Sequence, residues 1–251
     1  MANKKIMILV IAFKAQETIR DVLERISSKM WGKASEILVI DDASPPPDKT
    51  FEIALNYKNT YKLNKLSIKK NYKNHGYGGN QKLGFNYALR KGYDIVAVLH
   101  GDGQYPAENL MQLVKPLESD NYKMVFGSRI RGDALMGGMP IWKYFGNRFL
   151  TFAENLLLGL SLSEYHSGFR AYSCEALRAV NLNLTDDGFV FDTDIIIQFK
   201  KHNFQIGEIV IPTQYDERSH VIEFNLAIKV GLGILKSVVL YFIQKNILRK
   251  Q

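Results

Sequence analysis

Apolar residues run without interruption through residues 6–13 and are rich in β-branched side chains, the pattern of a strand covered on both faces in a mainly parallel sheet. Residues 17–28 then switch to a helical period that puts Ile19, Val22, Leu23 and Ile26 on one side. The alternation recurs down the chain. Residues 36–40 form a second predicted strand, which stops at Asp41-Asp42-Ala43-Ser44 and three prolines, and residues 65–69 form a third that enters the glycine-rich loop 71–79. Residues 81–90 predict a helix closed by Gly92, and residues 95–99 a fourth strand ending in His100-Gly101-Asp102-Gly103-Gln104. Residues 123–126 and 205–211 read as further strands, residues 189–202 as a helix, and residues 139–160 as a helical region broken around Gly146. Such alternation defines βαβ units, so the expected fold is α/β and Rossmann-like, with a mainly parallel central sheet flanked by helices. Ligands of such sheets collect at the carboxyl ends of the strands. Both aspartate-bearing loops lie there.

The pattern changes near residue 220. Residues 224–243 are largely apolar with Lys229 and Lys236 interposed, and Lys245, Arg249 and Lys250 follow. The charge-free stretches fall short of the roughly 18 to 20 residues that span a bilayer. Two readings stand: an amphipathic helix lying in a membrane interface with its basic residues toward anionic headgroups, or a helix docked on the domain. The expected organisation is one domain over residues 1–220 and a C-terminal amphipathic, basic helical segment over residues 221–251.

Composition narrows the partners. The 251 residues are 46% hydrophobic and 23% charged, which suits a single packed domain and argues against disorder. A net charge of +8 and a pI near 9.3 favour an anionic partner: a membrane surface, a phosphate-rich substrate or nucleic acid. No helix-turn-helix, zinc-finger or RNA-binding aromatic pattern accompanies the lysines, so nucleic acid is set aside. The single cysteine, Cys174, leaves no intrachain disulfide and fits a reducing compartment. The apolar run after Lys4 and Lys5 is too short for a secretory signal. Homo-oligomerisation is left open by the sequence.

The candidate chemistry sits in the loops. Asp102, between two glycines after a strand, suits a divalent cation beside a closely approaching diphosphate, and Gln104 can add an amide oxygen to the same ion. Asp41 and Asp42 end a neighbouring strand, placed to hydrogen-bond a base or ribose. Turn preference alone also accounts for an aspartate flanked by glycines. For His100 two readings stand, a hydrogen-bonded structural residue or a direct ligand of metal or phosphate.

The ordered motifs Asp41-Asp42-Ala43-Ser44, Gly76-Tyr77-Gly78-Gly79-Asn80, His100-Gly101-Asp102-Gly103-Gln104-Tyr105-Pro106, Gly127-Ser128-Arg129 and Ser167-Gly168-Phe169-Arg170-Ala171-Tyr172 resemble those of the family-two inverting glycosyltransferases of GT-A fold. The chain looks closest to the branch of dolichyl-phosphate and polyprenyl-phosphate sugar synthases, and the resemblance runs from residue 6 to about residue 220. It implies transfer of a sugar from a nucleotide-diphosphate donor to a polyprenyl phosphate or lipid-linked glycan, with Mg²⁺ or Mn²⁺, peripherally at the cytoplasmic face of a membrane. It also implies donor contacts at Ala12, Phe13, Asp41, Asp42, Gly79, His100, Gly101, Asp102 and Arg129, and a metal held by Asp102, Gln104 and His100. Arg129 falls where a family arginine meets the diphosphate. Of Asp192 and Asp194, one is expected to cap a helix and the other to orient the sugar or act as base. Arg170 is read as pairing with one of them or binding acceptor, and Arg218 and His220 fall in the family's acceptor loop.

Several positions depart from the family pattern. His100 replaces the first aspartate of the D-x-D motif, Ala15 replaces a base-contacting acid, and Glu164 stands where the family has aspartate. No two-helix membrane anchor is read in the sequence. Three alternatives accompany the main reading: a soluble or cell-surface polysaccharide acceptor, a non-catalytic nucleotide-sugar-binding module, and a nucleotidyltransferase. The last lacks support because no glycine-rich loop follows the first strand.

Overall fold

The computed structural model describes residues 4–212 and 223–248. Among these, the chain builds a 7-stranded sheet in the order β3-β2-β1-β4-β6-β5-β7. The strands are β1 (Ile6–Ala12), β2 (Glu36–Asp41), β3 (Leu66–Lys70), β4 (Ile95–His100), β5 (Met124–Ser128), β6 (Arg170–Ser173) and β7 (Ile206–Val210). All pairings are parallel except those of β6, which runs antiparallel between β4 and β5. The mainly parallel sheet is therefore as expected, and β6 is an addition. Its four residues include a buried arginine and a buried tyrosine, a composition too short and too polar to read as a strand by periodicity.

Burial on both faces explains the unbroken apolar run of β1. Ile6, Ile8 and Val10 face a core shared with Val22 and Leu23 of α1 (Ile19–Arg25), Met30 of α2 (Ser28–Lys33), Ala54 of α3 (Thr50–Thr60) and Leu113 of α5 (Leu110–Glu118). Met7, Leu9 and Ile11 face the opposite layer, with Phe85 of α4 (Gly76–Lys91), Leu177 of α7 (Cys174–Ala179) and Phe199 of α8 (Phe191–Lys201). Each fully buried aliphatic side chain contributes about 1.5–3 kcal/mol, so this strand anchors both layers.

Two helices leave this plan. α6 (Ile141–Leu158) is continuous through Gly146, where a break was expected. A mid-helix glycine costs only about 1 kcal/mol relative to alanine, which tertiary packing overcomes. α9 (Phe224–Leu248) follows the undescribed segment and packs on α6 and α8.

Candidate active site

Register brings the predicted site together. Ala12 pairs with Asp41 and Ile11 with His100, so the carboxyl ends of β1, β2 and β4 lie side by side. The loop after β4 is fixed against β1: Gly101 N–H donates to Ile11 O at 2.8 Å, and Thr18 Oγ1 donates to Gly101 O at 2.7 Å. A side chain at Gly101 would bring its Cβ within 2.9 Å of Ala12 Cβ, so glycine is required by this approach. Asp102 stands half-buried at the turn, and Gln104 N–H donates to its Oδ1 at 3.2 Å. Phe13 is 41% exposed at the end of β1, available to a flat ligand. A cleft of about 410 Å³ opens beside it, lined among others by Lys14, Gln16, Glu17, Pro47 and Asp48. Its acids, Glu17 and Asp48, lie near the buried Ala15 where the family acid is missing.

Asp41 is fully buried with a divided carboxylate. Oδ1 accepts from Ser44 N–H at 3.1 Å and Ser44 Oγ at 2.5 Å, while Lys70 Nζ lies 3.6 Å from Oδ2. Asp42 is otherwise employed. Its carboxylate accepts from Asn71 Nδ2 at 2.7 Å and from the N–H groups of His75 and Gly76 at 3.0 Å, which holds the start of α4. Asp42 thus serves as a cap for the start of α4. Gly79 is likewise turned inward, donating to Asp187 O at 3.0 Å. Both arrangements have one cause: the glycine-rich segment is the first turn of α4, packed on the loop before α8.

His100 is shut in. Its ring lies edge-on to Tyr77 and Tyr105, and a Cβ built at Gly168 would be 2.3 Å from Nε2, so that nitrogen points into the protein at Gly168. Burial lowers its pKa to about 4, leaving a neutral imidazole. His100 Nε2 is buried against Gly168. Tyr105, which periodicity does not flag, ties this corner together by accepting from Gly168 N–H at 2.8 Å.

Arg129 lies just past β5 and is 5% exposed. Its Nε donates to Glu164 Oε1 at 2.9 Å, its backbone N–H to Glu164 Oε2 at 2.9 Å, and its Nη2 to His166 O at 2.9 Å. Burial pushes the Glu164 carboxyl up, but the Arg129 guanidinium outweighs this and holds it below its ordinary value. A depressed folded-state pKa gives stability that is present above about pH 4.3 and lost as pH falls through the folded value. Glu164→Gln is therefore expected to lower the Tm on the order of 10 °C at pH 7, because a buried charge loses its partner. Thermal melts of both proteins should converge as the pH falls through the folded value, where Glu164 itself becomes protonated.

Arg170 is fully buried. Its Nε donates to Ser167 O at 2.6 Å and Nη1 to Asp192 O at 2.9 Å, and Nη2 reaches Tyr165 O and lies 3.4 Å from Asp192 Oδ1. It pairs with Asp192 and does not meet an acceptor. Asp192 also accepts from Tyr77 Oη at 3.2 and 3.1 Å; burial raises its pKa while Arg170 pulls it down. Asp194 accepts from Asp186 N–H at 2.9 Å and from the Ser237 side chain of α9. Both acids are engaged in contacts within the protein. Arg218 and His220 lie outside the described residues.

The surface beside the site has inverted polarity. Asn147, Thr151 and Glu154 of α6 are buried, whereas Ile141, Phe145, Phe149, Phe152 and Leu156 on its opposite face are exposed, Phe149 and Phe152 by 64% and 68%. α9 joins it, with Phe224 edge-on to Trp142 at 5.3 Å and with Leu232, Leu240, Phe242 and Ile243 exposed. The exposed side of α9 is largely apolar and also carries Lys229 and Lys236. Among the described residues it is one helix long and apolar enough to cross a membrane, by length and composition.

A mainly parallel sheet with an aspartate loop at the carboxyl ends of its central strands places a ligand site at that edge, as in other open α/β sheets. The model of glycosyl transferase family 2 matches residues 7–180, and the chain belongs to that family. It is a glycosyltransferase of GT-A fold. It is 31% identical over 215 residues to an uncharacterized protein of Methanocaldococcus jannaschii, covering 86% of this chain and 84% of that one. It is 29% identical over 229 residues to the UDP-N-acetylglucosamine–dolichyl-phosphate N-acetylglucosaminyltransferase of Methanococcus voltae, covering 87% and 89% of the two chains. A third relative, 28% identical over 184 residues and covering 70% and 71%, is the undecaprenyl-phosphate mannosyltransferase of Micrococcus luteus. The fold is shared with glucosyl-3-phosphoglycerate synthase from Mycobacterium tuberculosis, solved with Mn²⁺, UDP and glucosyl-3-phosphoglycerate, at a TM-score of 0.71, 16% identity and 96% and 80% coverage.

Proposed function

We propose that this enzyme transfers a sugar, with inversion, from a nucleotide-diphosphate sugar to a polyprenyl phosphate of the dolichyl or undecaprenyl type. Relatives with named activities act on such lipids. The observation that carries the choice of acceptor is the employment of Asp192 and Asp194 in structural contacts. A hydroxyl acceptor requires a base, whereas a lipid phosphate attacks with an oxygen that is already anionic.

Among the described residues no group of three or more His, Cys, Asp or Glu is arranged to hold a metal. The half-exposed Asp102 and Gln104 nevertheless fit a hard divalent ion, Mg²⁺ or Mn²⁺, that completes its oxygen shell with the donor diphosphate. Such an ion neutralises the charge that develops on the departing nucleoside diphosphate. Phe13 and Asp41 lie where a nucleoside would stack and hydrogen-bond, and Arg129, anchored by Glu164, adds fixed positive charge at the end of β5.

The apolar faces of α6 and α9 support work at a membrane surface, and basic Lys143, Arg148, Lys229 and Lys236 on the same helices suit anionic headgroups. We place it at the cytoplasmic face, in keeping with one buried, unpaired cysteine. The test is incubation with a panel of nucleotide sugars, Mn²⁺ or Mg²⁺, and a short polyprenyl phosphate. Release of nucleoside diphosphate matched by solvent-extractable sugar is expected. Transfer only to a soluble glycan, release of pyrophosphate, or binding without turnover each overturns the reading.

A further inference from the structure

α6 joins two surfaces that a single helix rarely joins. Its outer stripe, Phe145, Phe149 and Phe152, is apolar and open, while its inner stripe is polar and hydrogen-bonded. Ordinary surface helices have the reverse arrangement. Asn147 and Glu154 reach the segment that holds Arg129, and Thr151 braces Asn147. Asn147 Nδ2 donates to Glu164 Oε1 at 2.9 Å, and Thr151 Oγ1 donates to Asn147 Oδ1 at 3.2 Å. Glu154 accepts from Thr193 Oγ1 at 2.5 Å through Oε1, and its Oε2 lies 3.0 Å from His166 Nε2. Glu164 and His166 are the two residues whose carboxylate and carbonyl receive the Arg129 guanidinium. One helix thus fixes both supports of one arginine.

We propose that Asn147 and Glu154 are positioning residues through which lipid contact on the outer face of α6 sets the orientation of Arg129. The inference rests on the membrane reading above and deepens it by naming a regulation of the same site. In water the outer stripe exposes several large apolar side chains, and burying them in lipid favours the straight, seated helix. That seating holds Glu164 and His166 in register, and through them the arginine. Without lipid the same contacts form less often, so the donor diphosphate meets a less preorganised cation.

The test uses the full chain, phosphatidylcholine–phosphatidylglycerol vesicles free of polyprenyl phosphate, and a ten-carbon isoprenyl phosphate that remains in solution as acceptor. Vesicle binding is read by cosedimentation and by the fluorescence of Trp142 on α6. Vesicles are expected to raise kcat roughly fivefold or more, the lower end of ordinary coupling between sites, with little change in donor KM. Hydrogen exchange in the segment around Glu164 and His166 slows in parallel. Asn147→Ala and Glu154→Gln bind vesicles as the wild type does but lose the stimulation and the added protection. The triple variant Phe145→Ser, Phe149→Ser, Phe152→Ser alters only exposed side chains; it keeps the basal rate and loses both binding and stimulation. Vesicle binding by the wild type with unchanged kcat and unchanged exchange overturns the coupling and leaves the membrane reading standing. Failure of the wild type to bind vesicles overturns both.

Discussion

Replacing Asp102 by alanine is expected to lower kcat/KM for sugar transfer by about 10³-fold, the size of loss seen when one preorganised stabiliser of a developing negative charge is removed. Few groups share the load. His100 occupies the position of a second carboxylate, and its Nε2 is sealed against Gly168. Asp102 is thus the one acid of the motif, and without it an ion would be left with Gln104 and the donor's own oxygens. Folding should be nearly unaffected, because the Asp102 side chain is half-exposed and its Oδ1 accepts from the N–H of Gln104 in the same turn. Steady-state assays at saturating Mn²⁺, paired with thermal melts, check both halves. Transfer that survives in Asp102→Ala with metal still required sinks the assignment.

Arg170→Met is expected to cost about 3–5 kcal/mol of stability, the usual result of stranding one partner of a buried ion pair. Asp192 would be left without its guanidinium, and the carbonyls of Ser167, Tyr165 and Asp192 would lose their donor. For a chain of this length the shift in Tm is on the order of 10 °C. Adding Asp192→Asn to Arg170→Met should recover part of the loss, since the stranded charge is then removed. An arginine that bound acceptor would behave otherwise: the variant would melt with the wild type and show a raised acceptor KM. Circular dichroism melts of the single and double variants, with acceptor titrations, separate the two.

The motifs announced the site, and what they left unsaid concerns partners. Asp41, Asp42, Asp102 and Arg129 all lie where strand ends meet, as the loop positions implied. Asp42 nevertheless serves the start of α4, and Gly79 serves the packing of that helix on the loop before α8. A motif residue and its neighbour are indistinguishable in sequence, because the hydrogen bonds that separate them come from residues about thirty positions away. Glu164 is similar. It reads as a departure from the family pattern and proves to be the partner of Arg129 across 35 positions.

Patterning by itself determined the parallel sheet, its buried first strand and the loops that bear chemistry, because burial on both faces writes an unbroken apolar run and helices write a 3.6-residue period. It also located the family, since the motifs are local and ordered. Tertiary structure alone decided the antiparallel β6, whose residues are chosen for the contacts of Arg170 and Tyr172 and not for periodicity. It alone showed that α6 is built inside out, because an apolar stripe names no direction until the core is placed on one side of it. Only then do its phenylalanines face outward and its asparagine and glutamate reach the supports of Arg129.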